Sequence, residues 1–277
     1  MKKLFGVAVV AVVTLLVFAA CGGRNDENTL VIGATAVPHY EILEQVVDAI
    51  ADRGFSLQIE ELSDFTTPNH ALNDGSLDAN FFQHRPFLNN FNENNGTTLV
   101  PVFGVHFEPL RVFIGRSHSL VAILDGLHDG AEIAIPDDPT NEARALQLLE
   151  FLGLITLHEA TRSTASATTG IAENPHNLRI RPVVAQTLPA LLQDVDFAVI
   201  NGNVALQGGV THLAIEGASE EHDPNARLLF TNYVVVRDGY QNDERILALI
   251  DALDTEEIRD FIYEQYQGRI IPTLIRP

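Results

Sequence analysis

Strands and helices alternate along this chain, and that order restricts the fold more than any other feature. The apolar run TLVIGAT, residues 29–35, is typical of a buried strand. HYEILEQVVDAIADRG, residues 39–54, places its apolar residues on one helical face and ends at Gly54. FSLQIEEL, residues 55–62, alternates apolar and polar residues as a strand does. A β-α-β start of this kind predicts parallel strands with helices on the faces of the sheet.

The same alternation continues to the end of the chain. It predicts strands in AEIAIP, DVDFAVIN and NYVVVRD, and helices in NEARALQLLEFLG, DERILALIDAL and TEEIRDFIYEQY. Two segments, ALNDGSLDANFFQH and ALLQDVDFAVINGN, each lead from a short apolar helix into a strand that ends in polar residues. This similarity is either chance or the mark of two similar lobes. In the second case, FFQH and NGN would line opposite sides of a cleft, because open α/β sheets bind ligands at the carboxyl ends of their strands.

Composition excludes several classes of protein. With 277 residues, 46% of them hydrophobic, the chain can bury a sizeable core and is globular. Its formal net charge of −20 argues against a nucleic-acid partner, because such a field repels phosphates.

The N-terminal residues predict export and a lipid anchor. Lys2 and Lys3 precede the apolar run Leu4 to Ala20, which ends in small residues before Cys21, the single cysteine. The pattern resembles a bacterial lipoprotein signal, in which the cysteine is acylated and becomes the mature N-terminus; a retained membrane anchor is the alternative. We therefore expect a signal peptide over residues 1–20 and a flexible tether over 21–29. If the Cys21 thiol is acylated, disulfides and thiolate chemistry are excluded.

The segment AIPDDPTNEARALQLLEF, residues 134–151, places an arginine one turn inside a predicted helix. Asp138 is a good N-cap and Pro139 suits the first helical position, while Asn141 and Arg144, three residues apart, share one face. Free N–H groups, an amide and a guanidinium converging there would suit a carboxylate ligand. On this interpretation, Arg144→Ala abolishes binding and leaves the folded protein nearly intact. The alternative is a surface ion pair of Arg144 with Asp137, Asp138 or a nearby glutamate.

A family resemblance runs through residues 30–275 in unbroken order. Its motifs are PHYEILEQV, SDFTTPNHALNDGSLDANFFQHRPFLNNF, VHFEPLRVF, IAIPDDPTNEARALQLLE, AENPHNLRI and DVDFAVINGNVAL. They resemble the methionine-binding lipoproteins of bacterial ABC importers, the NlpA type. The resemblance implies an α/β, two-lobed periplasmic-binding-protein fold of type II with the ligand cleft between the lobes. It also implies a protein that is lipid-anchored at the extracytoplasmic side of the cell membrane, in the periplasm or at the cell surface, and that passes a free amino acid, usually methionine, to an ABC permease and ATPase.

The resemblance also implies which residues bind the ligand. Arg144 matches the arginine that binds the carboxylate. Asn141, Asn201 and Asn203 match polar ligands of the amino-acid head. Phe65, Phe82 and His84 match the side-chain pocket, although the family usually has tyrosine at the position of Phe65. An aromatic slot suits a thioether but also accepts other apolar side chains, so another apolar amino acid or a small carboxylate is the alternative ligand.

We expect one lobe to comprise residues 30–107 and 236–277, and the other residues 108–235, with crossovers near residues 105–109 and 232–237. His106 and Glu108 would then lie at the first crossover.

Other functional classes fit the sequence less well. A hydrolase is not indicated, because no G-x-S-x-G motif is present and the serines cluster in loops such as TRSTASATTG. The ten histidines are scattered without H-E-x-x-H spacing, so neither a metal site nor a cofactor is predicted, although a metal-binding surface lipoprotein remains an alternative. A purely structural surface lipoprotein is a further one. We expect a binding protein and no enzyme.

Overall fold

The computed structural model describes residues 27–116, 128–159, 165–223 and 225–277. The predicted signal peptide, the acylation site Cys21 and most of the predicted tether lie outside the described residues.

The strands and helices occur in mixed order along the chain. The strands are β1 (Thr29–Thr35), β2 (Ser56–Leu62), β3 (Ala79–His84), β4 (Leu99–Phe107), β5 (Arg111–Ile114), β6 (Glu132–Pro136), β7 (Thr156–Leu157), β8 (Ile171–Glu173), β9 (Arg179–Val183), β10 (Phe197–Ile200), β11 (Ala214–Ser219), β12 (Thr231–Arg237) and β13 (Ile271–Ile275). The α-helices are α1 (Glu41–Glu44), α2 (Val47–Ala51), α3 (Thr67–Asp74), α4 (Arg85–Asn95), α5 (Pro139–Phe151), α6 (Leu188–Leu191), α7 (Gly202–Gln207), α8 (Ala226–Leu229), α9 (Glu244–Leu253) and α10 (Glu256–Tyr266).

The strands form two main sheets, one in each lobe. In the first lobe the order is β13-β4-β12-β3-β1-β2, with β1 parallel to β2 and β3 and the remaining pairs antiparallel. In the second lobe the order is β11-β5-β10-β6-β9, with β6 parallel to β10 and β9, and β5 antiparallel to its neighbours. The parallel pairing predicted for the β-α-β start is therefore present, within sheets that are mixed.

The chain passes between the sheets twice. The first passage is the short segment 108–110 between β4 and β5, and the second precedes β12 at residue 231. Because all of β12 belongs to the first sheet, residues 231–235 lie there, whereas the sequence-based boundary fell inside this strand. A long apolar strand gives no sign of which sheet it joins, since that depends on pairing with β3 and β4.

Each lobe has its own hydrophobic core. In the first lobe, β1, β3, β4 and β12 pack against α9 and α10 around the fully buried Phe103, Ile32 and Leu249. In the second lobe, apolar clusters cover both faces of the sheet, one against α5 and one against α6 and α7. Within the described residues, we find no helix that is both long and apolar enough to cross a membrane.

The helix predicted over residues 39–54 is broken into α1 and α2. At Val46 the backbone reaches φ −108° and ψ 0°. The N–H groups of Gln45 and Val46 donate to carbonyl oxygens three residues earlier, where an α-helix has bonds to the fourth residue back. Two consecutive β-branched residues, Val46 and Val47, disfavour a continuous helix at this point. Of the apolar face indicated by the sequence, Ile42, Leu43, Val46 and Ile50 are buried, whereas Val47 is half-buried.

Candidate functional site

A cavity lies between the two lobes. The seven residues that the sequence analysis assigned to a ligand site all line it: Phe65, Phe82, His84, Asn141, Arg144, Asn201 and Asn203. The first three come from the first lobe and the rest from the second. Four further residues line the cavity as well: Gln83, Phe87, Glu108 and Asn232. The structure thus brings the predicted residues together, while their role in binding remains a prediction.

The start of α5 is fixed by its N-cap. Asp138 accepts the backbone N–H of Asn141 at 3.0 Å, as predicted, and its other oxygen accepts the Asn141 amide at 2.9 Å. This leaves Oδ1 of Asn141 facing the cavity, where it accepts from Nδ2 of Asn201 at 3.1 Å and lies 3.2 Å from Nε2 of His84. One N-cap therefore orients an amide that joins the two lobes.

His84 is held as a neutral imidazole with its proton on Nε2. Its Nδ1 accepts the backbone N–H of Phe87 at 3.2 Å, so Nε2 is the nitrogen that donates to Asn141. Burial, with the nearby Arg144 charge as a second cause, lowers the pKa of His84 to about 3. His84 is therefore a hydrogen-bond donor in the cavity and carries no charge at neutral pH.

Arg144 is buried and paired inside the protein. Its Nε lies 2.8 Å and 2.9 Å from the two carboxylate oxygens of Glu220, and Nη2 lies 2.7 Å from Oε2 of the same residue. Nη2 also donates to the carbonyl oxygen of Glu108 at 2.5 Å, and the ring of Phe230 lies 4.2 Å from the guanidinium carbon. The surface ion pair with Asp137, Asp138 or a nearby glutamate is wrong, because Arg144 is 2% exposed and its partner is distant in sequence.

Nη1 is the part of the guanidinium left for a ligand. Among the residues that the structure describes, its hydrogen-bond contact is a long one, 3.5 Å to Oδ1 of Asn141. Burial raises the pKa of the Glu220 carboxyl, and the Arg144 charge opposes that effect. A single polar edge of Arg144 therefore faces the cavity.

Two asparagines follow β10 at the other side of the cavity. Asn201 is 6% exposed, and its Oδ1 is a buried acceptor that has no hydrogen-bond partner within the described part of the chain. The backbone N–H of Asn203 donates to Oε2 of Glu108 at 2.9 Å. Since unpaired buried acceptors are costly, Oδ1 of Asn201 suits a ligand that brings an N–H donor.

Three phenyl rings form the apolar end of the cavity. The ring centroids of Phe82 and Phe87 are 5.7 Å apart, and Phe65 lies 6.2 Å from Phe82 and 6.3 Å from Phe87. Phe65 belongs to the first lobe but packs against the core of the second. The neighbouring Phe81 points the other way, into the first core, as strand alternation predicts.

Comparison with known proteins identifies the family. A model described as "NlpA lipoprotein" matches residues 30–274. The chain belongs to the NlpA lipoprotein family. Among curated relatives, "Methionine-binding lipoprotein MetQ" of Bacillus subtilis is 33% identical, over 98% of this chain and 99% of the relative.

Solved structures of similar chains share the fold. A lipoprotein from Ruminococcus gnavus superposes with a TM-score of 0.84 at 36% identity, over 89% of this chain and 99% of that one. A nutrient binding protein from Burkholderia cenocepacia, solved bound to methionine, gives a TM-score of 0.80 at 33% identity, over 88% and 100%. The predicted two-lobed fold of binding proteins is confirmed for this NlpA family member.

One cluster in this NlpA lipoprotein has the composition of a metal site. The ligand atoms of His39, His106 and Glu108, all buried, lie within 4.8 Å of one another. Oε1 of Glu108 already lies within hydrogen-bond distance of both histidines, 2.7 Å from Nε2 of His106 and 3.2 Å from Nε2 of His39. Nδ1 of His106 lacks the acceptor that usually orients a metal-binding histidine. The group is better described as a hydrogen-bonded cluster.

Sequence reasoning missed several functional neighbours for identifiable reasons. Phe87 lies three residues after His84, on the first turn of α4. This spacing could have indicated that Phe87 lines the same cavity as His84. Glu220 and Asn232 gave no such signal, because each reaches the site only through tertiary packing.

Proposed function

We propose that this NlpA family member is the substrate-binding lipoprotein of a bacterial ABC importer and that its ligand is methionine. The observation that carries the proposal is the cavity itself, which has a polar end and an apolar end at the distances described above. At the polar end, Nη1 of Arg144 offers a charged donor and Oδ1 of Asn201 an unpaired acceptor. An amino-acid head brings the matching groups, a carboxylate and an ammonium.

The apolar end supports a side chain without charge. Three phenyl rings line it and His84 is neutral, so these four side chains offer no charge that could pair with a charged side chain. Sulfur makes favourable contacts with ring edges, of about 0.3–1.5 kcal/mol each, which favours a thioether over an alkyl chain of the same length. The names of the Bacillus and Burkholderia relatives support the same ligand.

The remaining parts of the proposal concern location and partners. Cys21 would carry the lipid that holds the protein at the extracytoplasmic face of the membrane, and the closed, ligand-bound form would be recognised by a permease and its ATPase. Ligand contacts from both lobes favour closure, since Phe65, Phe82 and His84 belong to one lobe and Arg144 and Asn201 to the other.

Ligand identity is tested on the purified protein. Mass spectrometry of small molecules released by denaturation should find methionine, and calorimetric titration should give the highest affinity for methionine among the twenty amino acids. The carboxyl-amidated analogue of methionine should bind much more weakly, because it lacks the partner for Arg144. Tightest binding of a charged amino acid would overturn the proposal. Stoichiometric zinc or manganese in the purified protein, with no amino acid bound, would favour the metal-binding alternative.

A further inference from the structure

The segment between β4 and β5, where the chain first passes from one lobe to the other, is bonded directly to the Arg144–Glu220 pair. The carbonyl oxygen of Glu108 accepts Nη2 of Arg144 at 2.5 Å. Two residues later, the N–H of Leu110 donates to Oε2 of Glu220 at 2.8 Å, and the N–H of Glu220 donates to the carbonyl oxygen of Leu110 at 3.1 Å. The orientation of Arg144 in the cavity is therefore tied to the backbone of this crossover.

The side chain of Glu108 joins the two lobes at the same point. Its Oε1 accepts from Nε2 of His106 at 2.7 Å and lies 3.2 Å from Nε2 of His39, both in the first lobe. Its Oε2 accepts the N–H of Asn203, in the second lobe, at 2.9 Å. His39 is fixed in turn by Oγ1 of Thr35, which lies 2.7 Å from its Nδ1. One oxygen of the Glu108 carboxylate thus bonds to the first lobe and the other to the second.

The backbone of the second lobe comes unusually close to Glu108. A Cβ atom added at Gly202 would lie 3.2 Å from Cβ of Glu108 and 3.3 Å from Cδ1 of Ile270. Glycine at this position allows the start of α7 to approach the crossover, which brings the Asn203 N–H within reach of the carboxylate.

We propose that Glu108 is a positioning residue of the ligand site: its carboxylate and its carbonyl together hold Asn203 and Arg144 in their binding orientation relative to the first lobe. This inference rests on the proposed function of the cavity. Glu108 acts through the two residues it fixes, and it links them to His39 and His106. Binding of the amino-acid head is thereby coupled to the relative placement of the lobes.

The decisive variant replaces one of the two carboxylate oxygens of Glu108. Glutamine has the same length but only one acceptor oxygen. In Glu108→Gln this oxygen cannot accept both the Asn203 N–H and the N–H groups of the two histidines. The matched control is Asp196→Asn, which alters another buried carboxylate in the second lobe. Asp196 accepts from Nε of Arg116 at 2.9 Å and from the N–H of Glu132 at 2.8 Å, and it does not line the cavity.

The experiment measures methionine affinity by calorimetry and amide hydrogen exchange of residues 201–207 in the ligand-free, full-length protein in detergent. We expect Glu108→Gln to weaken binding by about 10-fold or more, since a buried donor left without its acceptor costs about that factor. Exchange of residues 201–207 should accelerate in this variant. Asp196→Asn should change neither readout, although both variants lose stability.

The outcomes separate this inference from the proposed function. Unchanged affinity and unchanged exchange in Glu108→Gln, with only lower stability, would overturn the positioning role. If the wild-type protein binds no amino acid, the proposed function fails, and exchange at residues 201–207 still decides the positioning role. Should Glu108→Gln fail to fold, His106→Leu removes the donor to Oε1 of Glu108 and should shift both readouts in the same direction by less; no shift in that variant would overturn the inference.

Discussion

Nε of Arg144 lies 2.8 Å from Oε1 of Glu220, although the two residues are 76 positions apart in the sequence. Their side chains are 2% and 8% exposed, so the ion pair is removed from water. Removing one partner of such a pair leaves the other charge buried without compensation, which costs more than the pair contributes. The expectation that Arg144→Ala leaves the folded protein nearly intact is therefore replaced by a prediction of lost stability.

Arg144→Met should lower the free energy of unfolding by about 3–5 kcal/mol, because the Glu220 carboxylate would remain buried alone. The double variant Arg144→Met/Glu220→Gln should recover most of this loss, since glutamine is neutral and can still accept the Leu110 N–H. Neither variant should bind methionine. Urea denaturation and calorimetric titration check the two effects separately. Full methionine binding by the double variant would show that Arg144 is not a ligand of the carboxylate.

Asn201→Ala should weaken ligand binding by about 10-fold or more and change the stability of the ligand-free protein by no more than about 1 kcal/mol. The variant loses the bond from Nδ2 to Oδ1 of Asn141, but that oxygen keeps its contact with Nε2 of His84, and Oδ1 of Asn201 is unpaired without ligand. Asn92→Ala is the control, because Asn92 bonds to Thr97 and Leu99 away from the cavity. That variant should lose stability and keep its affinity. Equal affinities in all three proteins would contradict the role of Asn201.

Methionine should bind more tightly than norleucine, in which a methylene replaces the sulfur. The difference should be up to about 10-fold, which corresponds to the upper range of sulfur–aromatic contacts. Phe82→Leu should reduce this preference, because the Phe82 ring lies 6.2 Å from Phe65 and 5.7 Å from Phe87 in the aromatic end. Phe103→Leu, in the core of the first lobe, should leave the preference unchanged. A preference that is absent in the wild type would remove the argument for a thioether.

The free energy of unfolding should fall as the pH drops from 7 to 5. Burial lowers the pKa of His39, His84 and His106 from 6.5 to about 3, so in this window the unfolded chain binds protons that the folded chain does not. Each histidine then contributes a slope of up to about 1.4 kcal/mol per pH unit, with stability lost toward acid. Burial raises the pKa of Glu108 and Glu220, which opposes the trend in part.

His39→Gln tests the origin of this slope. The variant lacks one of the three histidines, so its unfolded and folded states differ by about one proton less. Its free energy of unfolding should therefore depend less steeply on pH. Urea denaturation at pH 5, 6 and 7 measures both proteins. Stability that does not change with pH in either protein would contradict the assignment of neutral, buried histidines.

Acylation of Cys21 should make the full-length protein partition into the detergent phase when it is expressed in bacteria. Cys21→Ser should carry no lipid and leave the signal peptide attached, so its intact mass should be that of the unprocessed precursor. The two proteins are compared by phase separation and by intact-mass measurement. An unmodified thiol in the wild-type protein would show that the segment is not a lipoprotein signal.

What the sequence determined by itself is local. Strand β1 matches the predicted segment, and Asp138 caps α5 through bonds to Asn141, because an N-cap and its partner are only three residues apart. The positions of His84 and Asn201 at the ends of apolar strands were also readable, since strand ends follow from hydrophobic patterning. Family resemblance added the expectation that these residues share one site.

Only the tertiary structure decided the partners of the buried charges. Arg144 could have paired with any of several carboxylates near it in sequence, yet Glu220 lies against it because β5 and β11 are neighbours in the second sheet. The cluster of His39, His106 and Glu108 likewise depends on the packing of β4 and the turn after β1 beside the start of α7. Local patterns fix which residues are buried, whereas long-range strand pairing determines which buried polar groups meet.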